Sequence, residues 1–561
     1  MTIHELETGR ELLARIPLLT GADPATIDQL VRRLRPVHFE AGEVVVRAGA
    51  AGDRLYLVGR GRLRVVVEED DGPRVVRELG SGAALGELAL LTGEARSATI
   101  QAIRDSELFE LDGDVFTALL EQDAGFAIAV ARSLAHQLQA SGGLTPATAR
   151  PAVVSVRALG RDVDPRPFAD SLVRALARFG PVALLRIDDA SGSPSSALDH
   201  AEREHAHVVL LDAGGDDAWS AFCARQVDRS VLLAGREAER ATAVPAATDL
   251  VVVEPIPRDS LSRLLDAVAP RTHHLAYGLE SAAIGRVARR LVRRSLGLVL
   301  SGGGARGYAH IGAIESLEEA GFEIDRIGGC SIGAFIGGMH ASGLNPDDMF
   351  ESCRTELVRR SPFNDYTLPR VSLIRSRKAG RMLDRIFGES VVEELDIPFF
   401  TVSADLLASR TVVHRRGPVV EAVGASMSIP GLVPPLSRPG RLLVDGGVLN
   451  NLPVDVMVVE DEGPIVAVDV IRRGESADAS MKPALPTIME TLSRATVLGS
   501  AERAERNRRL ADLVVTPDVQ DVALREFAAL GRAASAGRDA MRRALETGAG
   551  LELRNRLDAA V

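Results

Sequence analysis

Aromatic residues make up only 4% of this 561-residue chain, with one tryptophan and four tyrosines. So small a supply excludes a stacking platform for nucleic-acid bases and leaves a mostly aliphatic core. Cysteine is scarcer still: Cys223, Cys330 and Cys353 stand far apart. They make neither a disulfide framework nor a zinc spacing, so a reducing compartment is expected. No stretch reaches 18 uninterrupted apolar residues, and the opening MTIHELETGRELLARIPLL has acidic residues where a signal peptide needs a basic head. The expectation is a cytoplasmic chain, at most peripheral at the inner face of a membrane. Basic charge is also in deficit, with 66 Lys and Arg against 77 Asp and Glu and a net charge of -11, which argues against general nucleic-acid binding.

What is present is organised in blocks, and at about 150 residues per domain the chain should hold three or four. From Val37 to Leu111, short strand-like runs separated by glycine turns suggest a small β-barrel, flanked by helical pattern over 24–34 and 113–140. A polar, proline-bearing linker at 141–151 follows. Compact apolar runs, AVVSVRAL, PVALLRI, HVVLLDAG, RSVLLAG and DLVVVEPI, then alternate with helical stretches, as a buried parallel sheet with crossover helices requires. Its first strand ends in GRDVDPRP rather than a glycine-rich loop with lysine, so this block reads as a nucleotide-free scaffold. The expected fold is multidomain: a β-barrel module (1–142), a Rossmann-like α/β scaffold (150–279), a linker helix (280–295) and a C-terminal α/β domain (296–561). The linker helix carries Ile284, Val287 and Leu291 on one stripe with five arginines around it.

Two glycine clusters open the C-terminal block. The strand LGLVL runs into SGGGARG, Ser301–Gly307, and a helix follows; three successive glycines let backbone N–H groups converge where an oxyanion could sit. A phosphate loop would need different spacing or a lysine. About 25 residues on, Gly329-Cys330-Ser331-Ile332-Gly333 fits G-x-S-x-G, the sharp strand-to-helix turn that holds a nucleophilic serine. The difficulty is the base. In the α/β-hydrolase order a histidine follows the acid, yet the last histidine is His414, while Asp445 stands later in RLLVDGGVLNNLPVD. His310 and His340 lie in helices leaving the two glycine turns and read as packing residues. A Ser-Asp dyad, in which the carboxylate takes the serine proton directly, is the economical solution.

These residues resemble the patatin-like phospholipases, marked by G-G-G-x-R-G, G-x-S-x-G and D-G-G in that order. The resemblance extends through ASMSIPGLVPPL and spans residues 296 to roughly 545. It implies a carboxylic ester hydrolase of lysophospholipase or phospholipase A type, with Ser331 and Asp445 as its dyad. Gly302, Gly303 and Gly304, helped by Arg306, would form the oxyanion site, with no metal or other catalytic cofactor. Cys330 departs from the threonine often found before the serine and sets a thiol beside the nucleophile.

In the N-terminal module, GAALGELALLTGEARSATIQA holds a glutamate and an arginine nine residues apart. A buried cyclic phosphodiester needs a guanidinium for its phosphate, N–H groups at a turn and a carboxylate for the ribose 2′-OH. Arg96, the turn Gly86-Glu87-Leu88-Ala89 and Glu87 supply these. The stretch is similar to the phosphate-binding cassette of cyclic-nucleotide-binding domains, with Ser97 a further phosphate contact and Ala95 where proline is common. It implies cAMP or cGMP as effector. Barrel, spacer and patatin domain together resemble the neuropathy target esterase family in a short form, with a phospholipid or lysophospholipid substrate. A homodimer stays open, as do a catalytically silent nucleotide sensor or scaffold and a lipase or thioesterase using the same dyad. Residues 354–381 add eight basic residues against two acidic ones, either a solvated face or a patch for anionic lipid.

Overall fold

The computed structural model describes residues 23–69, 72–142, 153–190, 194–214, 217–238, 248–460, 462–471, 485 and 487–558. The expected linker at 141–151 falls outside them from residue 143 onward. Contacts group the chain into two compact units. The first comprises Met1–Val173, Pro181–Leu233 and Glu237–Thr248; the second comprises Arg174–Gly180, Ala234–Arg236 and Asp249–Val561.

The first unit begins with two four-stranded antiparallel sheets. One orders β1 (Arg35–Phe39), β8 (Ser106–Asp112), β3 (Arg54–Arg60) and β6 (Ala84–Leu85); the other orders β2 (Val44–Val46), β7 (Thr99–Ala102), β4 (Arg62–Glu69) and β5 (Gly72–Gly80). Strand β3 is buried from Leu55 to Gly59 because both its faces are covered there. Leu55 and Leu57 pack with Phe116 and Phe126 of the flanking helices, while Tyr56 and Val58 pack with Leu63, Ile100 and Leu108 between the sheets. The pattern therefore shows no simple alternation there, although β7 keeps it, with Ile100 and Ala102 inward.

Four parallel strands complete this unit, in the order β10 (Val182–Leu185), β11 (His207–Asp212), β9 (Val153–Ala158), β12 (Arg229–Ala234). Strands β11 and β12 are buried at every residue, which is why their centres, Val208–Leu211 and Val231–Ala234, read as apolar runs. A buried ionic cluster fastens the barrel to them. Asp228 is 7% exposed and receives Arg62 Nη1 at 3.4 Å, Arg104 Nε at 3.6 Å and the Val153 N–H at 3.1 Å. Arg62 also reaches Glu78 and Arg104 reaches Glu202, at 2.9 and 2.8 Å.

In the second unit, β13 (Thr248–Val252) and β14 (Thr272–Leu275) run parallel and lead into the helix Ser281–Leu291. Its stripe Ile284, Val287 and Leu291 is buried as the periodicity requires. Its arginines are not a free cationic face. Arg289 grips Asp325 at 2.6 Å and Glu323 at 2.8 Å, and Arg290, 1% exposed, binds Asp249 at 3.1 Å and also pairs with Glu462.

An eight-stranded sheet forms the core of this unit, ordered β19 (Leu436–Arg438), β20 (Arg441–Asp445), β17 (Phe399–Asp405), β16 (Arg326–Gly329), β15 (Gly297–Leu300), β21 (Ile465–Val468), β22 (Leu513–Val515), with β18 (Arg410–His414) also paired to β17. Strands β17, β16, β15, β21 and β22 are mutually parallel, and β20 runs antiparallel to β17 with Asp445 opposite Ser403. Helices Ala309–Glu319 and Leu530–Leu545 pack closely, since Gly312 and Gly537 lie where a Cβ would collide with the carbonyls of Ala534 and Ala309. The carboxyl ends of β15 and β16 open onto the two glycine turns.

Candidate active site

The turn after β16 sets the geometry. Ser331 sits at φ 53° and ψ −119°, a backbone region side-chain-bearing residues rarely adopt, so the surrounding structure must hold it there. The flanking glycines explain how. A Cβ on Gly329 would strike the Gly333 carbonyl, and one on Gly333 would strike those of Leu300 and Ser301. The Ser331 N–H donates to Ser426 Oγ at 2.8 Å, and helix Ile332–Ala341 departs from the turn.

Ser331 Oγ donates to Asp445 Oδ2 at 2.7 Å. Asp445 ends β20, is 2% exposed, and its other oxygen accepts the Gly447 N–H at 2.8 Å. Burial raises its pKa to about 6, against the lowering effects of the Ser331 and Gly447 hydrogen bonds. The Cys330 thiol faces this carboxylate, with Sγ 3.8 Å from Oδ1, and burial together with the Asp445 charge pushes its pKa well up. It therefore stays a neutral thiol beside the acid.

No histidine hydrogen-bonds Ser331 among the described residues. His310 lies beneath the glycine loop with Nε2 2.8 Å from the Ser301 carbonyl, and burial lowers its pKa to about 4. His340 contacts the Leu344 carbonyl at 3.3 Å, and His414 contacts Ser403 Oγ at 2.7 Å.

The loop after β15 passes directly over the serine. A Cβ on Gly302 would lie 2.5 Å from Asn451 Oδ1 and 3.1 Å from Ser331 Cβ. Gly304 has φ 55° and abuts the Leu524 carbonyl, so it needs both the freedom and the small size of glycine. Asn451 holds Gly302 from two sides, its carbonyl accepting the Gly302 N–H at 3.2 Å and its Nδ2 donating to the Gly302 carbonyl at 3.2 Å. That engagement occupies the Gly302 N–H, and the loop Gly302–Gly304 lines the same cavity as Ser331. The Arg306 guanidinium lies on the C-terminal segment instead, with Nε on the Val522 carbonyl at 2.8 Å and Nη2 on that of Gln520 at 3.2 Å.

A cavity enclosing about 840 Å³ of empty space, counting its open mouth, lies over the dyad. Gly302–Gly304, Ser331, Asp445 and Asn451 form its polar floor; Leu357, Phe363, Met427, Leu432, Val433 and Phe527 are among its apolar walls. The apolar lining suits a hydrocarbon chain. Asn451 and Ser426 are contributors that motif reading passed over, although both stand inside stretches that drew attention, RLLVDGGVLNNLPVD and ASMSIPGLVPPL.

In the barrel, Gly86 at φ 98° begins the short helix Glu87–Thr92, and its Cβ would collide with the Arg96 guanidinium. Arg96 is 7% exposed and donates to the carbonyls of Gly86 at 3.1 Å and Arg54 at 2.6 Å. Glu87 and Ala89 are buried, Leu88 and Ser97 exposed. Gly86, Glu87 and Arg96 are thus brought to one place.

With this geometry in view, comparison with known proteins gives the class. Residues 298–458 match the patatin-like phospholipase family and residues 36–123 the cyclic nucleotide-binding domain. The chain belongs to the NTE family: it is 34% identical to an NTE family protein of Mycobacterium tuberculosis over 96% of each chain. It is 31% identical to patatin-like phospholipase domain-containing protein 7 of Mus musculus, over 83% of this chain and 41% of that one. Neuropathy target esterase sws of Drosophila melanogaster is 29% identical over 79% of this chain and 37% of its own length. Among the described residues no helix is long and apolar enough to cross a membrane.

Proposed function

We propose that the protein is a serine esterase that hydrolyses acyl esters of lysophospholipids or phospholipids through a Ser331-Asp445 dyad, under control of a cyclic nucleotide. The observation that carries this reading is the 2.7 Å hydrogen bond from Ser331 Oγ to a buried carboxylate at the floor of an apolar cavity. Asp445 accepts the hydroxyl proton as Oγ attacks the acyl carbonyl, and the N–H groups of Gly303 and Gly304 receive the developing oxyanion. The proton passes to the leaving alkoxide as the acyl–enzyme forms. Water, deprotonated by the same carboxylate, then releases the fatty acid and restores Ser331.

A cyclic nucleotide would set its phosphate on Arg96 and its ribose hydroxyl on Glu87. Arg96 would then exchange the carbonyls of Gly86 and Arg54 for a charge-assisted contact, which is the stronger bond. That exchange shifts the Gly86 turn within the barrel, whose Arg62 and Arg104 are tied to Asp228 of the parallel sheet.

Steady-state kinetics on one defined lysophosphatidylcholine tests the dyad. Ser331→Ala and Asp445→Asn should each lower kcat by at least about a thousandfold with the fold intact. Wild-type turnover in either variant removes the assignment, and a preference for neutral glycerides at equal concentration removes the lysophospholipid assignment.

A further inference from the structure

Against the wall of the catalytic cavity, residues 366–374 fold back on themselves. Tyr366 bridges Ile374, and the Thr367 N–H donates to the Leu373 carbonyl at 3.0 Å. The base of this hairpin is fixed to the cavity wall: the N–H groups of Leu373 and Ile374 donate to the carbonyls of Gly431 and Leu432 at 2.9 and 3.1 Å. Ile374 packs with Leu432 and Val433, and Phe363, just before the hairpin, lines the cavity with them. Beyond that base the hairpin carries exposed apolar side chains. Leu368 is 72% exposed, Val371 71% and Tyr366 59%, three large apolar groups on one short projection.

Charge surrounds the tip. Arg370, Arg375, Arg377, Lys378 and Arg381 are exposed, and among the described residues none of the five lies within ion-pair distance of a carboxylate. This contrasts with Arg360 and Arg385, which share Glu356 as an ion-pair partner at 2.6 and 2.5 Å. In a chain of net charge -11, five unneutralised cations within a dozen residues, around an apolar tip, have the chemistry of a bilayer interface.

We propose that the hairpin 366–374 is a docking element for an anionic lipid bilayer: Leu368, Val371 and Tyr366 enter the acyl boundary while Arg370, Arg375, Arg377, Lys378 and Arg381 lie among the headgroup phosphates. Docked in this way, the cavity wall to which the hairpin is anchored lies next to the headgroup layer, and a lipid acyl ester reaches Ser331 without crossing bulk water. The proposal rests on the lipid-hydrolase reading for its purpose, but not for its test.

The test is cosedimentation of the full chain with sucrose-loaded vesicles, either phosphatidylcholine alone or phosphatidylcholine with 30% phosphatidylglycerol (about 30%, a common anionic content chosen so that basic residues sense the surface). Wild type should partition onto the anionic vesicles and release at high salt. Leu368→Asp with Val371→Asp should lower that partition by at least about tenfold, and Arg370→Gln with Arg377→Gln by about fivefold per residue. Both pairs should retain wild-type hydrolysis of a soluble short-chain ester, showing an intact fold and dyad. Ser331→Ala should bind vesicles like wild type, so binding without turnover would retain the docking site while removing the enzymatic reading. Equal partition of wild type on both vesicle types, tip variants that bind as well as wild type, or a tip-dependent dimer in sedimentation velocity would overturn the proposal.

Discussion

The pKa of Asp445 makes a sharp demand on the pH profile. An ordinary aspartate at 3.8 would be about 94% ionised at pH 5, and catalysis by it would barely change above that pH. Buried Asp445, at about 6, is only about 9% ionised at pH 5 and about 91% at pH 7. Only the ionised form accepts the Ser331 proton, so kcat/KM for a soluble ester should fall about tenfold between pH 7 and pH 5 and continue tenfold per unit below. The same shift has a signature in stability. The folded pKa lies above the unfolded one, so the native state holds the proton more tightly; this contribution is full below pH 3.8 and is lost as pH rises through about 6. The full span is about 3 kcal/mol, from the difference of about 2.2 units. Asp445→Asn removes that loss, so the variant should gain stability over wild type at pH 7.5 and little at pH 4.5, while its hydrolysis is abolished. A rate profile flat to pH 4.5, or a stability difference independent of pH, would refute burial as the force acting on Asp445.

Two further outcomes follow from other sites. Asp228→Ala leaves the guanidinium groups of Arg62 and Arg104 without their shared buried carboxylate, which should cost about 3–5 kcal/mol in the first unit. Trp219 lies in that unit and is the chain's one tryptophan, so its fluorescence in a urea titration reads the loss directly. Arg96→Ala should eliminate calorimetric binding of cAMP or cGMP while leaving basal ester hydrolysis unchanged; undiminished binding would move the phosphate site elsewhere.

The legible parts of this chain are those where one residue type has a single physical reason. Gly329 and Gly333 could be read as a nucleophile turn because nothing larger fits between them and the carbonyls they face. The buried strands β11 and β12 could be read because an apolar run bounded by turns has few other uses. Arg306 was harder: its place after a glycine loop suits an oxyanion helper, but the carbonyls that capture it come from residues 520 and 522. The arginines of helix Ser281–Leu291 posed the same problem, since Asp325 and Asp249 stand 36 and 41 residues away from their partners. Asn451 and Ser426 act through backbone groups of distant turns, and no periodicity encodes such contacts. Local pattern reveals what a residue can do to its own turn; long-range capture decides where a flexible polar side chain goes.

The most direct test of the central claim is active-site labelling with a fluorophosphonate, followed by peptide mass spectrometry. The dyad predicts one adduct, on Ser331, absent in Ser331→Ala and formed at least about a hundredfold more slowly in Asp445→Asn, which lacks the base. An adduct on another serine, such as Ser426 or Ser403, or an Asp445→Asn variant labelled at the wild-type rate, would contradict it.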